Sequence, residues 1–291
     1  MNCNSSSPRF AVAFGGGGAR GIAHLHIVET LDDLDIKPVA IAGSSIGAII
    51  GTGLANGMEG RTLRDYTAGI FKNRAEVAKR IWKARPGGWS QLLKGGLRVS
   101  QFNIEKVLAA FLPDDLPDRI EELKTPMSIV AVDYHAAEEV HFQQGDLRSA
   151  IAASCAIPPV FAPVVRDGRI LVDGGLFNPV PFDLLFDKAD IVIGVDVVGG
   201  PSGDDDAMPS TYEAILGANQ LTMMAIIQNK FRQRPPHVFV RPDVAGIGLL
   251  DFLKFEQILA QSAAVRDDLK RKIDQAVAAF ERQTCLDQAS G

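Results

Sequence analysis

Two short apolar runs, each followed by glycines and a helical pattern, constrain the fold of this chain more than any other feature. The first run covers 9–14, and apolar residues then recur at helical spacing from 20 to 34. The second run covers 39–42, and a helix rich in small residues is predicted over 46–55. Strands that alternate with helices are typical of a parallel sheet. We therefore predict an α/β fold, with a mostly parallel central sheet covered by helices on both faces.

The second run lies within a stretch without charged residues, 38–58, which is long enough to span a bilayer. The stretch contains five glycines and several hydroxyl and amide side chains, so it is only weakly apolar. Its glycine content and its strand-like start favour a buried strand, turn and helix over a membrane span.

The rest of the chain continues the alternation of strands and helices. Strands are predicted at 127–134, 139–143, 191–198 and 237–241. Helices are predicted at 146–154, 210–232 and 255–283. No linker or repeat divides the sequence. We predict one domain over 1–291, with a core over about 10–198 and a helical C-terminal extension over about 210–283.

Composition limits the partners and the compartment. The net charge of −5 argues against nucleic acid as a partner. Cys3, Cys155 and Cys285 are widely spaced and form no C-x-x-C pair, which argues against a disulfide framework or a zinc site. Residues 1–9 show no basic segment followed by an apolar core, so no secretory signal is predicted. We expect a cytoplasmic protein without a bound metal.

The sequence Gly43-Ser44-Ser45-Ile46-Gly47 matches the G-x-S-x-G pattern of a nucleophile elbow. In such a turn the serine hydroxyl projects from a strand end, and the glycines permit close backbone contacts. The following helix directs N–H groups towards a developing oxyanion. The pattern also occurs in packing turns, where Ser45 would only cap a helix. The strand-like run before it and the helix-like run after it favour Ser45 as the nucleophile of a serine hydrolase.

A second glycine-rich turn, 15–21, follows the first predicted strand. Gly16, Gly18 and Gly21 fit the dinucleotide pattern G-x-G-x-x-G, but the second strand ends in the serine turn and not in the acidic residue that holds a ribose. The Gly-Lys-Ser/Thr of a phosphate loop is missing as well. Successive glycine N–H groups also suit an oxyanion hole, and neighbouring parallel strands place both turns at one edge of the sheet. A nucleotide-binding oxidoreductase is the weaker alternative.

A serine nucleophile needs a base. The chain has five histidines: His24, His26, His135, His141 and His237. Each is explained more simply as a packed or exposed side chain. Asp173 stands at the end of an apolar run and is followed by Gly174 and Gly175, which allow close approach. An Asp-Gly pair is equally typical of a hairpin turn, so this motif alone does not identify the base.

Four segments together resemble the signature blocks of the patatin-like phospholipase family. They are 16–21 (GGGARG), 43–47 (GSSIG), 153–163 (ASCAIPPVFAP) and 173–175 (DGG). Their order and spacing agree with those of the family, and the resemblance covers about 10–198. The sequence is most similar to compact bacterial members. Pro159 departs from the pattern, because the family usually has glycine there.

The resemblance implies hydrolysis of lipid acyl esters by a Ser–Asp dyad, without a cofactor or a metal. Ser45 would be the nucleophile, and Asp173 would be the base that takes its proton. The backbone N–H groups of Gly16, Gly17 and Gly18 would form the oxyanion hole. The supporting residues would be Arg20, Gly21, Gly43, Gly47, Gly174 and Gly175. Arg20 would hold the glycine-rich loop, near an anionic group of the substrate. Because a free aspartate titrates near pH 4, Asp173 must be positioned beside the hydroxyl to act as a base.

The basic segment 72–94 is rich in lysine and arginine and carries both tryptophans, Trp82 and Trp89. This composition is typical of a surface that makes peripheral contact with anionic lipid. A solvated helix face with inward tryptophans explains it equally well. The main alternative to an enzyme is a non-catalytic regulatory or lipid-binding protein with the same fold. The oligomeric state and the head group of the substrate do not follow from the sequence.

Overall fold

In the computed structural model, one sheet of eight strands runs through the described residues, which are 7–72, 102–109, 111–201 and 208–290. The strands are β1 (Phe10–Phe14), β2 (Ala40–Ser44), β3 (Met127–Asp133), β4 (Glu138–Phe142), β5 (Val164–Arg166), β6 (Arg169–Asp173), β7 (Ile191–Val195) and β8 (Val238–Val240). The order is β5-β6-β3-β2-β1-β7-β8, and β4 also pairs with β3. From β3 to β8 neighbouring strands are parallel, whereas β4, β5 and β6 pair antiparallel. The predicted mostly parallel α/β sheet is confirmed.

Helices cover both faces of this sheet. They are α1 (His24–Asp33), α2 (Ile46–Ala55), α3 (Gly60–Lys72), α4 (Ile104–Ala109), α5 (Leu147–Ser154), α6 (Thr211–Gln233), α7 (Phe255–Ser262) and α8 (Val265–Ser290). Most of them contribute to a large core on one face. On the other face, Ile227 of α6 and Phe182 of a short 3-10 helix pack into a smaller core.

Strand β1 shows how the sequence produces two unequal cores. All five of its residues are buried, because it pairs with β2 on one side and β7 on the other. Phe10, Val12 and Phe14 point into the large core, whereas Ala11 and Ala13 point into the small one. The alternation follows from the period of two in a strand. Small side chains on the second face let the covering elements approach the sheet closely.

The pairing of β3 brings the ends of two other strands together. Strand β4 pairs with one edge of β3 over most of the length of β3. Strands β2 and β6 divide the opposite edge between them. Since β2 runs parallel to β3 and β6 runs antiparallel, the carboxyl ends of β2 and β6 meet. Ser44 is paired with Val130, and Asp173 is paired with the next residue, Ala131.

The hairpin of β5 and β6 is not among the elements predicted from the sequence. Its turn is Asp167-Gly168, with φ angles of 51° and 75°. An Asp-Gly pair with positive φ at both positions is typical of a type I′ turn between two strands. This pair is the sequence signal from which the hairpin, and hence the direction of the strand that ends at Asp173, can be predicted.

The prediction of one helix over 255–283 is wrong, because the chain forms α7 and α8 there. The first of the two ends at Ser262, whose Oγ donates a hydrogen bond to Ile258 O at 2.6 Å. A serine hydroxyl that binds the carbonyl of the preceding turn often bends a helix. Leu259 and Leu269, one from each helix, join the same large core as the strands. The single domain over 1–291 stays a prediction.

Residues 73–94 of the basic segment, including Trp82 and Trp89, lie outside the described residues. The peripheral membrane contact that the sequence predicts there therefore stays a prediction.

Candidate active site

Ser45 lies in the sharp turn between the end of β2 and the start of α2. Its φ of 55° and ψ of −126° are strained for a residue with a side chain. The flanking glycines permit the turn. A Cβ at Gly43 would lie 2.6 Å from Gly47 O, and a Cβ at Gly47 would lie 2.1 Å from Phe14 O. The turn thus has the strand, elbow and helix geometry that places a serine hydroxyl at the end of a sheet.

Asp173 ends β6 and caps a single turn of 3-10 helix. Its Oδ1 accepts a hydrogen bond from Gly175 N–H at 2.8 Å. Only 4% of Asp173 is exposed, and only 3% of Ser45. Burial raises the pKa of Asp173 to about 7, while interactions with the Ser45 side chain and with Gly175 N–H oppose this rise. The carboxyl therefore changes its charge near neutral pH.

The two side chains lie close together without an aligned hydrogen bond. Asp173 Oδ2 has no hydrogen-bond partner of standard geometry among the described residues. The Ser45 side chain is nonetheless near enough to lower the pKa of this carboxyl. Both residues also line one small crevice of about 30 Å³. Catalytic hydrogen bonds are often long or misaligned before a substrate binds, so this arrangement suits a nucleophile and its base.

The glycine-rich loop passes beside Ser45. A Cβ at Gly16 would lie 3.2 Å from Ser45 Cβ. Gly16 N–H donates to Pro179 O at 2.9 Å, so this donor is already used. The N–H groups of Gly17 and Gly18 donate to no acceptor in the described part of the chain. Of the three N–H groups predicted for the oxyanion hole, that of Gly16 is engaged by Pro179 O, and the hole itself stays a prediction.

Arg20 is held by backbone carbonyls of segments distant in sequence. Its guanidinium is buried and donates to three main-chain carbonyls: Ile247 O at 2.7 Å, Gly200 O at 2.9 Å, and Val198 O. The side chain lines neither of the two cavities that contain Ser45. The backbone carbonyls thus occupy donors of the guanidinium, and its expected position near an anionic group of the substrate stays a prediction.

The remaining predicted glycines allow close packing around the two candidate side chains. A Cβ at Gly21 would lie 2.3 Å from the side chain of Ile46, the first residue of α2. At Gly174 a Cβ would lie 2.2 Å from Val130 O, and at Gly175 it would lie 2.9 Å from Asp173 Oδ1. Larger residues at these positions would push apart the elements that carry Ser45 and Asp173.

The histidines have other partners. His24 Nε2 pairs with Gly15 O at 2.8 Å, and His26 Nε2 pairs with Leu259 O at 2.9 Å. Burial lowers the pKa of His24 to about 4, so this ring is neutral at neutral pH and donates to the carbonyl. None of the five histidines lines a cavity that contains Ser45. Among the described residues, Asp173 is the titratable carboxyl beside Ser45.

A large apolar cavity opens at Ser45. Its volume is about 610 Å³, within the range of about 300–1,000 Å³ that is typical of small-ligand sites. Side chains of α2, α3 and α4 and of the segment 250–253 line it. The described lining contains no charged side chain. Such a cavity fits a long hydrocarbon chain and not a phosphate or a nucleotide.

The end of α5 and the two residues after it contact both candidate residues. Ser45 N–H donates to Ser154 Oγ at 2.8 Å, and Asp173 N–H donates to Ala156 O at 3.1 Å. Cys155 lines the large cavity. Burial and the nearby Asp173 raise the pKa of the Cys155 thiol, and its interaction with the Ser45 side chain opposes the rise. The A-S-x-A pattern is the signal from which these contacts could have been suspected.

Among the described residues, no group of three or more His, Cys, Asp and Glu side chains is arranged to hold a metal ion. No helix among them combines the length and the apolar character that a bilayer crossing requires. The uncharged stretch 38–58 forms β2 and α2, which are largely buried within the fold.

The sequence model of a family described as patatin-like phospholipase matches residues 12–186, which is more than half of the chain. The chain belongs to the patatin-like phospholipase family. The resemblance predicted from four short segments is therefore confirmed, and Ser45 and Asp173 both lie inside the matched region.

Curated relatives include proteins of Mycobacterium tuberculosis and Kluyveromyces lactis. An uncharacterised NTE family protein of Mycobacterium tuberculosis is 38% identical over 209 residues, which cover 71% of this chain and 54% of that protein. A second such protein of this organism is 27% identical over 294 residues, covering 89% and 46%. A protein of Kluyveromyces lactis named lysophospholipase is 24% identical over 300 residues, covering 93% and 20%. The chain spans about half the length of the two mycobacterial relatives.

Similar solved structures include VipD from Legionella pneumophila and a human cytosolic phospholipase A2. The first has a TM-score of 0.47 and 14% identity, and the match covers 91% of this chain and 68% of that one. The second has a TM-score of 0.44 and 11% identity, with 97% and 61% covered. The fold class rests on the strands and helices described above.

Proposed function

We propose that this chain is a serine acyl-ester hydrolase that acts on lipids, with Ser45 as the nucleophile and Asp173 as the base. The observation that carries the proposal is the buried carboxyl of Asp173, which lies beside the strained Ser45 where a large uncharged cavity opens. Membership of a lipid hydrolase family supports the reaction class. The relative named lysophospholipase supports an ester of a lipid as the substrate.

In the first half of the proposed reaction, Ser45 Oγ attacks the carbonyl carbon of the ester. Its proton passes to the carboxylate of Asp173, and the carbonyl oxygen becomes an oxyanion. We propose that Gly17 and Gly18, whose N–H groups have no described acceptor, stabilise this oxyanion. Collapse of the tetrahedral intermediate breaks the bond to the alcohol, which leaves with the proton from Asp173.

In the second half, water hydrolyses the acyl group that is now bound to Ser45. Asp173 takes a proton from the water, and the resulting hydroxide attacks the acyl carbon. The bond to Ser45 Oγ breaks, the serine recovers its proton from Asp173, and a carboxylic acid is released. The carboxyl group of Asp173 therefore acts first as a general base and then as a general acid in each half of the reaction.

The cavity supports a long acyl chain as the part of the substrate bound beside Ser45. Each methylene group buried in an apolar site contributes about 0.8 kcal/mol. A chain of many methylenes would thus bind strongly against a lining without charges. The head group would face away from this cavity, and its identity stays open. A cytoplasmic location and lipid contact through 72–94 are part of the proposal as predictions from sequence.

The proposal is tested by the reaction of Ser45 with a fluorophosphonate probe and by the hydrolysis of p-nitrophenyl esters. Ser45→Ala is expected to abolish both labelling and turnover. Asp173→Asn is expected to lower turnover by a factor of about 10³ or more, as loss of a catalytic base does. Ser44→Ala is the matched control, because Ser44 Oγ has no hydrogen-bond partner among the described residues.

Two outcomes would contradict the proposal. Substantial turnover by folded Ser45→Ala or Asp173→Asn protein would remove the dyad. A wild-type chain that binds lipid vesicles without being labelled and without hydrolysing any ester would instead support the non-catalytic alternative.

A further inference from the structure

The last residue of α5, Ser154, and the two residues after it connect the two halves of the candidate dyad. Ser154 Oγ accepts the N–H of Ser45 at 2.8 Å, and Ala156 O accepts the N–H of Asp173 at 3.1 Å. We propose that Ser154 is a positioning residue, which holds the nucleophile elbow in the orientation that presents Ser45 Oγ to Asp173. This inference rests on the proposed function.

The bond from Ser154 solves a problem that the elbow creates. At a φ of 55°, the backbone of Ser45 leaves both the strand and the helix pattern, so its N–H has no partner in either element. Both residues are buried, with only 3% of Ser45 and none of Ser154 exposed. A buried N–H without an acceptor is costly. The hydroxyl of Ser154 supplies the acceptor and stabilises the strained turn.

The same segment also fixes the position of the base. Ser154 and Ala156 are separated by one residue, and each binds the backbone N–H of one member of the dyad. The spacing between the nucleophile and the base is therefore set by a short, buried piece of backbone at the end of α5. Cys155, between them, lines the large cavity next to Ser45.

The contacts of Ser154 assign it a positioning role and not a catalytic one. Its Oγ is engaged with a main-chain donor, and the residue lines neither cavity that contains Ser45. It has no contact with the space where a substrate would bind. Loss of its hydroxyl should consequently affect the geometry of the reaction and leave the affinity for the acyl chain unchanged.

The first test is the Ser154→Ala variant, measured by steady-state kinetics and by the rate of fluorophosphonate labelling. We expect kcat to fall by a factor of about 10–100, because a small misplacement of a reacting group has an effect of this size. KM should stay within about twofold, and labelling of Ser45 should slow in parallel with kcat. Ser149→Ala, on the first turn of the same helix and half-buried, is the control and should match the wild type.

A second pair of variants keeps the test decisive if the alanine variant folds poorly. Ser154→Thr keeps the hydroxyl acceptor. Ser154→Val introduces a side chain of nearly the same shape as threonine, but without the hydroxyl. We expect the threonine variant to exceed the valine variant at least tenfold in kcat per folded molecule. Equal kcat in the two variants, or an alanine variant that is folded and within threefold of the wild type, would overturn the inference.

Amide hydrogen exchange separates this inference from the proposed function. Ser45 N–H should exchange slowly in the wild type and faster in Ser154→Ala, whether or not the chain hydrolyses esters. Unchanged exchange would overturn the positioning role. If exchange accelerates but the wild type shows no turnover and no labelling of Ser45, the hydrogen bond stands and the proposed hydrolase fails.

Discussion

Asp173, the proposed base, differs from an aspartate in water because it is buried. An aspartate in water titrates near pH 3.9 and holds a proton too weakly to accept one readily from a serine. In this structure burial raises the pKa to about 7. A base whose pKa lies near the working pH combines the deprotonated form with a useful affinity for the proton. In the proposed mechanism, Asp173 thus accepts the proton of the serine, as a histidine does in the common triad.

This pKa leads to a prediction for the pH dependence of the rate. Asp173 must be ionised to accept the proton of Ser45, so kcat/KM should rise about tenfold per pH unit below pH 7. It should level off above about pH 8, where nearly all of the carboxyl is ionised. The measurement is a pH profile with a p-nitrophenyl ester, which has no titrating group in the substrate. A rate that is constant from pH 5 to 8 would rule out Asp173 as the base.

The same group predicts how stability changes with pH. The native state keeps the proton on Asp173 up to about pH 7, whereas the unfolded chain loses it near pH 3.9. The native state binds more protons between these values, so the free energy of unfolding falls as the pH rises through this window. Each pH unit between the two pKa values lowers the free energy of unfolding by about 1.4 kcal/mol, so the loss of stability above pH 7 is about 4 kcal/mol.

Asp173→Asn removes this loss, because an amide does not ionise. We expect this variant to be more stable than the wild type at pH 8 by up to about 4 kcal/mol, with the difference vanishing near pH 4. Urea unfolding at the two pH values measures it. The exposed Asp187→Asn is the control and should show no such dependence. Equal gains at both pH values would mean that the ionisation of Asp173 is not the cause.

At the scale of elements, α2 has two roles in the site. Its first residue follows Ser45 directly, and its side chains line the cavity proposed for the acyl chain. Ile49 lies four residues after Ser45 and is therefore on the same face of the helix. A change at this position alters the cavity close to the reacting ester.

Replacing Ile49 by tryptophan should shorten the acyl chain that the cavity accepts. We expect hydrolysis of p-nitrophenyl palmitate to fall at least tenfold relative to that of the butyrate, since methylenes excluded from the cavity lose about 0.8 kcal/mol each. Ile49→Leu keeps the volume and should preserve the ratio. An equal loss with both esters would indicate damage to the dyad and would contradict an acyl chain bound beside α2.

Helix α6 ties together the parts of the chain on the other side of the dyad. Lys230 of this helix donates to Asn178 Oδ1 and Asp183 Oδ1 and, at 3.3 Å, to Val180 O. The carbonyl of Pro179, within the same loop, accepts the N–H of Gly16. The loop that follows Asp173 therefore connects the base to the glycine-rich loop, and α6 fastens it to the small core.

At the scale of the molecule, the sheet brings together segments that are far apart in sequence. The glycine-rich loop follows β1, Ser45 follows β2, and Asp173 ends β6. Parallel pairing of β1 with β2 places the first two side by side. Antiparallel pairing of β6 with β3 turns the third towards them. Strand β6 continues the edge of β3 beyond the end of β2, so its antiparallel direction is what brings its last residue, Asp173, next to the end of β2.

Local sequence was sufficient to predict the elbow, the glycine-rich loop and the class of fold. Their signals lie within a few residues: Gly43 and Gly47 around Ser45, and apolar runs with periods of two and 3.6. Helix α2 follows over the predicted range, and strands β1 to β3 lie within three residues of theirs. The break between α7 and α8 was missed, since a single hydroxyl at Ser262 opposes a helical pattern that continues on both sides.

The sequence by itself determined which residues are available for the chemistry; the tertiary structure decided what each of them does. Gly16 and Gly17 are alike in the sequence, but only Gly16 N–H is used by Pro179, which lies more than 160 residues away along the chain. An aspartate becomes a base of pKa about 7 only when distant segments exclude water from it. Hydrogen bonds and burial depend on neighbours in space, whereas turn geometry depends on neighbours in sequence.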